Sequence, residues 1–191
     1  MQKMPTLTKS IIMVLSIATV STTAVAVGQG AMKQTDISDA VAAVQSKVSL
    51  EQAMAIAKRT VQGDVISAEF DQYDRSAGGD YEVNIIANNT EYEIKVDANS
   101  GKAMTKKQER LDNEDVAEYN AMKKSKISLN QAITTANQRV NGTVIEAGFD
   151  VEAGKSVYEI EMVKGTQVHK AVIDGMTGQI VSSQVEAADD D

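Results

Sequence analysis

The feature that most constrains this chain is an internal repeat. Residues 49–71 and 128–150 are identical at 12 of 23 positions when they are aligned with an offset of 79. The match resumes at an offset of 77, where Tyr81 aligns with Tyr158. The two-residue slip between these segments indicates a surface loop, where changes of length are tolerated. We therefore expect the chain to fold as two copies of one supersecondary unit.

Each copy begins with the signature of a helix N-terminus. Ser49-x-x-Gln52 and Ser128-x-x-Gln131 both have the spacing of a capping box. Apolar residues then recur at the spacing of one helix face, and Gly63 and Gly142 are predicted to end the helices as residues just past the C-cap. The apolar face consists of Leu50, Ala53, Met54, Ala57 and Val61 in the first copy, and of Leu129, Ala132, Ile133, Ala136 and Val140 in the second.

Three alternating segments follow each helix and predict strands. In the first copy Ile66, Ala68 and Phe70 are expected to share a face, and later segments repeat the pattern around Tyr81 and Tyr92. The fold class is therefore α+β, with two tandem α-β-β-β modules, each one helix packed on a small antiparallel sheet. The modules span 48–104 and 127–185. Between them 105–126 is predicted to be a charged helical linker, before them 27–47 to be partly helical, and after them 186–191 to be an acidic tail.

The first 26 residues have the pattern of a secretory signal peptide. Lys3 and Lys9 precede an apolar run over 11–20, and Ala24-Val25-Ala26 matches an A-x-A cleavage pattern. We expect cleavage after Ala26 and a mature protein in the periplasm or outside the cell. An uncleaved membrane anchor is the alternative. Ser and Thr residues at 19 and 21–23 disfavour it, because a spanning helix needs about 20 mostly apolar residues.

The charge of the mature chain restricts its partners. The 191 residues carry a formal charge of −8, and removal of 1–26, which contains two Lys and no acidic residue, gives −10. A chain this acidic is repelled by nucleic acid and by anionic lipid, so we expect neither nucleic acid nor, after cleavage, a membrane as its partner. The chain has no Cys, so its stability depends on packing rather than on disulfides.

The pattern resembles the PepSY family. The resemblance rests on the capped helix, the Tyr81-Glu-Val strand, and a strand that runs into Asp97-x-x-x-Gly101-Lys102, with Asp174-x-x-x-Gly178 as the second copy's counterpart. It implies a non-catalytic domain, since that family brings no catalytic residues with it. Similar domains occur in propeptides of thermolysin-like peptidases and in free-standing exported proteins. A regulator of an extracytoplasmic peptidase or of another envelope protein is therefore the function that the resemblance implies.

Motifs for enzymatic or metal chemistry are weak. The single His, His169, excludes a two-His metalloprotease site, and a structural zinc site lacks ligands. His169 is interpreted as a residue at the rim of the core, with a pH sensor as the alternative. Gly154-Lys155-Ser156 is interpreted as a hairpin tip rather than a phosphate loop. Asp97-x-Asn99-x-Gly101 is interpreted as a β-turn, because a calcium loop wants Gly one position later. We therefore expect no catalytic residue, no cofactor and no metal site.

The remaining candidate for a site is the polar face of the sheet. Carboxylates recur there, and we expect them, together with free strand edges, to bind a protein or peptide of the cell envelope. A small-ligand- or cation-responsive accessory protein of an envelope sensor is the alternative function. The candidate partner-binding face consists of Glu69, Glu82, Glu93, Glu146, Glu159 and Glu161.

Overall fold

A computed structural model describes residues 42–73 and 78–187, and the predictions for 1–26 and 27–41 lie outside them. Within these described ranges the chain forms three long helices and eight strands. The helices are α1 (Leu50–Thr60), α2 (Asn113–Lys124) and α3 (Leu129–Val140). The strands are β1 (Asp64–Gln72), β2 (Gly79–Ala87), β3 (Thr90–Asp97), β4 (Ala103–Arg110), β5 (Thr143–Glu152), β6 (Lys155–Lys164), β7 (Gln167–Asp174) and β8 (Ile180–Ala187).

The predicted α+β class is confirmed, but the two sheets are one. The strand order is β4-β3-β2-β1-β5-β6-β7-β8, and every neighbouring pair is antiparallel. The repeats meet where β1 pairs with β5, with Ala68 opposite Ala147. Two separate sheets would have four edge strands. In the described single sheet β1 and β5 pair with each other, and β4 and β8 are the edge strands.

Helices α1 and α3 begin as the capping boxes predict. The Ser49 hydroxyl accepts a hydrogen bond from the Gln52 backbone N–H at 3.3 Å, and Gln52 Oε1 accepts one from the Ser49 N–H at 2.9 Å. Ser128 and Gln131 repeat this arrangement. Each exchange satisfies two backbone donors that the first turn of a helix would otherwise leave without partners.

The helix C-termini differ from the expectation. The α1 C-cap, Val61, is extended, and in α3 it is Asn141 that adopts the left-handed conformation. Gly63 and Gly142 are needed for another reason. A Cβ at Gly63 would lie 2.5 Å from the Ile86 carbonyl oxygen, and one at Gly142 would lie 2.7 Å from that of Val163. These glycines allow the chain to pass close to the neighbouring strand.

The main core lies between one face of the sheet, here called the inner face, and helices α1 and α3. The two copies use the same aromatic contacts. Phe70 and Tyr81 pack edge to face at 5.3 Å, and Phe149 and Tyr158 do so at the same distance and angle. The two tyrosine hydroxyls donate to backbone carbonyls that precede the helices, Val48 O and Ile127 O, both at 2.8 Å. Each hydrogen bond thereby attaches the residues just before a helix to a strand of the same copy, α1 to β2 and α3 to β6.

The segment 105–126 is only partly the predicted helical linker. Residues 103–110 form β4, which pairs with β3, and the prediction of a helix over 105–110 is wrong. This polar segment is a strand because pairing with β3 satisfies its backbone hydrogen bonds. Its sequence has no apolar periodicity, so the sequence alone did not indicate a strand. The helix starts later, where Asp112 and Asp115 form a capping box of their own.

Helix α2 packs on the opposite, outer face of the sheet. A second apolar cluster forms there from Ile66, Ile86 and Leu111, against which Val116, Tyr119 and Met122 pack. Ile66 was expected to share a face with Ala68 and Phe70, and this is wrong. A register shift between Val65 and Ser67 leaves Ile66 out of the ladder and places it in the outer cluster.

The end of the chain also differs in its boundary. Glu186 and Ala187 were assigned to the acidic tail, but their backbones pair with Val168 and Gln167 as the last residues of β8. Residues 188–191 lie outside the described residues.

Candidate functional site: the acidic outer face

Four of the six predicted face residues form one row across the centre of the outer face. Each is the direct register partner of the next, so the row crosses the junction between the repeats. A lysine follows at each end, on β3 and on β7. From one end to the other, the row consists of Lys95, Glu82, Glu69, Glu146, Glu161 and Lys170.

The terminal lysines neutralise the outer members of the row. Lys95 Nζ lies 3.4 Å from Glu82 Oε2, and Lys170 Nζ lies 3.1 Å from Glu161 Oε1. Burial raises the pKa of Glu82, the nearby charge of Glu93 raises it further, and Lys95 opposes both. Glu69 and Glu146 face each other at the centre of the row, where β1 pairs with β5 at the repeat junction.

Glu93 lies beside this row rather than in it. Its register partners are Asn84 on β2 and Lys107 on β4. The structure therefore places Glu93 on the predicted face, towards the β4 edge.

Glu159 departs from the prediction of an open partner-binding face. It points outward as expected, but only 8% of its surface is exposed, and its Oε1 has no hydrogen-bond partner in the described part of the chain. Its register partners are Gly148 and Val172, so it lies outside the glutamate row. The expectation that Glu159 is available to a partner on an open surface is therefore wrong, because alternation predicts the direction of a side chain and not what covers it.

Glu159 belongs instead to a cluster with two acidic residues that the sequence reading missed. One oxygen from each of Asp150, Glu152 and Glu159 lies within 4.8 Å of the others. Burial, together with the charge and hydrogen bond of Glu152 and the charge of Asp150, raises the pKa of Glu159 to about 8. The repeat alignment contained a signal for this cluster, because Asp150 is the counterpart of Asp71.

Helix α2 covers another part of the outer face. Asp64 Oδ2, at the start of β1, accepts hydrogen bonds from the Tyr119 hydroxyl at 2.6 Å and from Lys123 Nζ at 2.9 Å. Burial raises the pKa values of Glu91 and Glu118 to about 7, and Asp115 contributes to both shifts. The open part of the acidic face is therefore smaller than the alternation pattern implies.

The two sheet edges differ in character. β4 has the sequence AMTKKQER, with Lys106, Lys107 and Arg110, and charged residues of this kind oppose edge-to-edge pairing. β8 has the sequence IVSSQVEA, in which Val181 and Val185 are 60% and 53% exposed. An edge with no Lys or Arg and with exposed β-branched residues is the better template for an added strand.

The weaker motifs have ordinary structures. Ala153 and Gly154 adopt positive φ in the β5–β6 turn, so Gly154-Lys155-Ser156 lies at a hairpin tip. Asp97 Oδ1 accepts hydrogen bonds from the Asn99 N–H and from both the N–H and hydroxyl of Ser100, as in a side-chain-stabilised turn.

His169 is half-buried on β7, between Met162 and Val185 in the register. Its Nε2 has no hydrogen-bond partner among the described residues. This position agrees with the interpretation of His169 as a residue at the rim of the core.

The family model for PepSY, "Peptidase propeptide and YPEB domain", matches residues 47–106 and 126–184. The chain belongs to the PepSY family and contains two tandem copies of its domain, as the resemblance implied. A comparison with curated protein sequences gives no match.

Two solved structures are similar to the chain. One is a crystal structure of a Clostridium difficile 630 protein provisionally described as a lipoprotein, with 24% identity and a TM-score of 0.47, covering 78% of this chain and 99% of that one. The other is the Bacillus megaterium YpeB C-terminal domain, with 18% identity and a TM-score of 0.28, covering 73% of this chain and 66% of that one. Within residues 42–73 and 78–187, no helix has the length and apolar character needed to cross a membrane.

Proposed function

We propose that this PepSY protein is an exported, non-catalytic binding module that pairs an extended segment of a partner protein with β8. The observation that carries the proposal is the β8 edge, which ends the described sheet and has no Lys or Arg, whereas β4 has three basic residues. Main-chain hydrogen bonds to β8 would provide affinity, and Val181 and Val185 would contact alternate side chains of the added strand.

The acidic row supplies a preference in charge. The row brings Glu82, Glu69, Glu146 and Glu161 side by side across the repeat junction. Together with the formal charge of −8, this face favours a partner with a basic surface. Such attraction weakens as salt screens it, whereas strand pairing at β8 depends far less on salt.

Membership of the PepSY family supports a proposed class of partner. A domain shared with peptidase propeptides favours an extracytoplasmic peptidase, or another envelope protein, as the partner. Export is supported by the signal-peptide pattern of residues 1–26. N-terminal sequencing of the secreted protein is expected to begin at Val27, and a protein that still begins at Met1 would contradict export with cleavage.

The test is capture of partners from the native envelope by the full mature chain. Val181→Lys together with Val185→Lys places charges on the β8 edge at two exposed positions, so the fold is expected to persist while capture is lost. Met104→Lys is the matched control, because Met104 is exposed on the other edge. Equal capture by the double variant and the wild type would show that β8 is not the binding edge.

A second function, a cation-responsive accessory protein of an envelope sensor, is favoured by one specific observation. This observation is the cluster of Asp150, Glu152 and Glu159, which brings three carboxyl groups together at a partly buried position. Titration with metal ions distinguishes this function from strand pairing. The cation would bind at the carboxyl cluster on β5 and β6, whereas an added strand would pair with β8.

A further inference from the structure

The two repeats differ in the charged residues that surround equivalent carboxylates on the outer face. In the first, Lys95 Nζ lies between two carboxylates, 3.3 Å from Asp71 Oδ2 and 3.4 Å from Glu82 Oε2. Lys95 is directly opposite Glu82 in the β2–β3 register. The ammonium group therefore serves as a tethered cation for this pair of acids.

The second repeat keeps the acids and lacks the cation. Asp150 and Glu159 are the counterparts of Asp71 and Glu82, but the residue opposite Glu159 on β7 is Val172. A third carboxylate, Glu152, takes the position that corresponds to Tyr73 in the first repeat. The second repeat thus has one carboxylate more and one positive charge fewer at the same place in the fold.

No side chain of the described chain supplies that charge. Lys170 is paired with Glu161, and none of the three clustered carboxylates has an ion pair with a basic side chain among residues 42–73 and 78–187. Lys155 is the register partner of Glu152 but is exposed and makes no such pair. Glu159 is more than nine-tenths buried, with its Oε1 lacking a hydrogen-bond partner. A buried carboxylate oxygen without a partner is unfavourable unless a proton or a cation compensates it.

We propose that Asp150, Glu152 and Glu159 bind a calcium ion, which occupies the place that the Lys95 ammonium holds in the first repeat. One oxygen of each residue lies within 4.8 Å of the others. Oxygens that coordinate one calcium ion at about 2.3–2.6 Å can be up to roughly 5 Å apart, so the three fit a single ion. Magnesium needs distances of about 2.0–2.1 Å and near-octahedral geometry, whereas calcium accepts flexible geometry and carboxylate ligands, so we expect calcium to bind better.

The neighbouring helix adds to the site. Glu118 on α2 interacts electrostatically with Asp150, which places a fourth carboxylate near the cluster. Calcium accepts six to eight oxygen ligands, and water would supply those that the three carboxylates do not. The site is separate from the β8 edge, and it gives the cation-responsive function its binding residues.

The experiment is calorimetric titration of the full mature chain with calcium chloride, and separately with magnesium chloride, after treatment with a chelator. We expect one calcium ion per chain, with a dissociation constant on the order of 10⁻⁴–10⁻³ M as in extracellular calcium modules, and weaker binding of magnesium. Glu159→Gln should weaken calcium binding at least tenfold. Glu82→Gln is the matched control and should leave binding unchanged, because Lys95 already occupies the equivalent place in the first repeat.

Val172→Lys is the most discriminating variant. It restores the arrangement of the first repeat, so it should abolish calcium binding while raising the melting temperature of the calcium-free protein. The melting temperature also distinguishes loss of the calcium site from loss of the fold. The absence of calcium binding by the wild type, unchanged binding by Val172→Lys, or equal affinity for magnesium would overturn the assignment. Envelope capture through β8, measured with and without a chelator, reports on the other proposal independently.

Discussion

Ala68 and Ala147 are equivalent positions of the two repeats and are also direct partners in the β1–β5 ladder. A pseudo-twofold axis therefore passes between them. The flanking pairs obey the same symmetry, since Ser67 pairs with Gly148 and Glu69 with Glu146. Both alanines are fully buried against the main core. The junction of the repeats is thus a small-residue contact at the centre of the sheet.

A larger side chain at this axis should destabilise the whole protein. Ala147→Leu is expected to lower the free energy of unfolding by about 1–3 kcal/mol, because the added atoms have no space in the core. Urea denaturation followed by circular dichroism measures the change. Gly148→Ala is the control, since its new Cβ would meet the nearest atom, Ser67 Cβ, at an ordinary 3.6 Å. A loss of stability as large in the control as in Ala147→Leu would contradict tight packing at the axis.

The helix caps should contribute equally in the two repeats. Ser49→Ala and Ser128→Ala each remove a hydroxyl that accepts a hydrogen bond from the helix backbone, at 3.3 Å in both cases. Each is expected to cost about 0.5–2 kcal/mol in chemical denaturation. Thr134→Ala serves as the control, because its hydroxyl only bonds back to Asn130 O within α3. Stability that is unchanged in both serine variants would argue against the capping boxes.

Burial of Glu91 should make stability depend on pH. Burial and the charge of Asp115, with smaller contributions from Glu109 and Glu118 and against the opposing charge of Lys107, raise its pKa to about 7. The folded state therefore holds a proton that the unfolded state releases above its lower pKa, so this residue lowers stability as the pH rises from about 4.5 to 7.

Glu91→Gln is expected to match the wild type near pH 4 and to exceed it near pH 8, by an amount on the order of 1–3 kcal/mol. Thermal or urea unfolding at the two pH values measures the difference. Glu93→Gln, on the same strand and face, provides the comparison. A variant that gains nothing at the higher pH would show that Glu91 ionises without cost.

The contact between α2 and β1 can be tested through one carboxylate. Burial would raise the pKa of Asp64, but hydrogen bonds from Tyr119 and Lys123 overcome this and hold it below its usual value. Tyr119→Phe should therefore raise the pKa of Asp64 and lower stability by about 0.5–1.5 kcal/mol. NMR titration of the Asp64 carboxyl carbon reads out the first effect. An unchanged Asp64 titration would mean that α2 does not dock as described.

Local features of the fold were predictable because each has a short-range cause. Capping boxes at Ser49 and Ser128 mark helix starts, and alternation around Tyr81 and Tyr158 marks strands. The pairing of β1 with β5 was not predictable in this way. Alternation assigns a strand its two faces, but it does not identify the strand on each side.

The candidate site was also predictable only where its features have local causes. The outward direction of Glu69, Glu82 and Glu146 follows from alternation, whereas the burial of Glu159 depends on neighbours that are distant in sequence. Ile66 was misplaced because a single bulged residue changes the face without changing the composition. The linker strand β4 was missed because its polar sequence has no periodicity that distinguishes an edge strand from a helix.

The symmetry at Ala68 and Ala147 is the symmetry expected if two identical copies associated before they were fused into one chain. A single repeat would leave β1 as a free edge, and two separate copies could join there as a symmetric homodimer with the same antiparallel register. Covalent fusion through residues 111–128 replaces that association, which depends on concentration, with an intramolecular one at an effective concentration in the millimolar range. Fusion also frees the two halves to diverge, which is how one half can retain Lys95 while the other carries Val172.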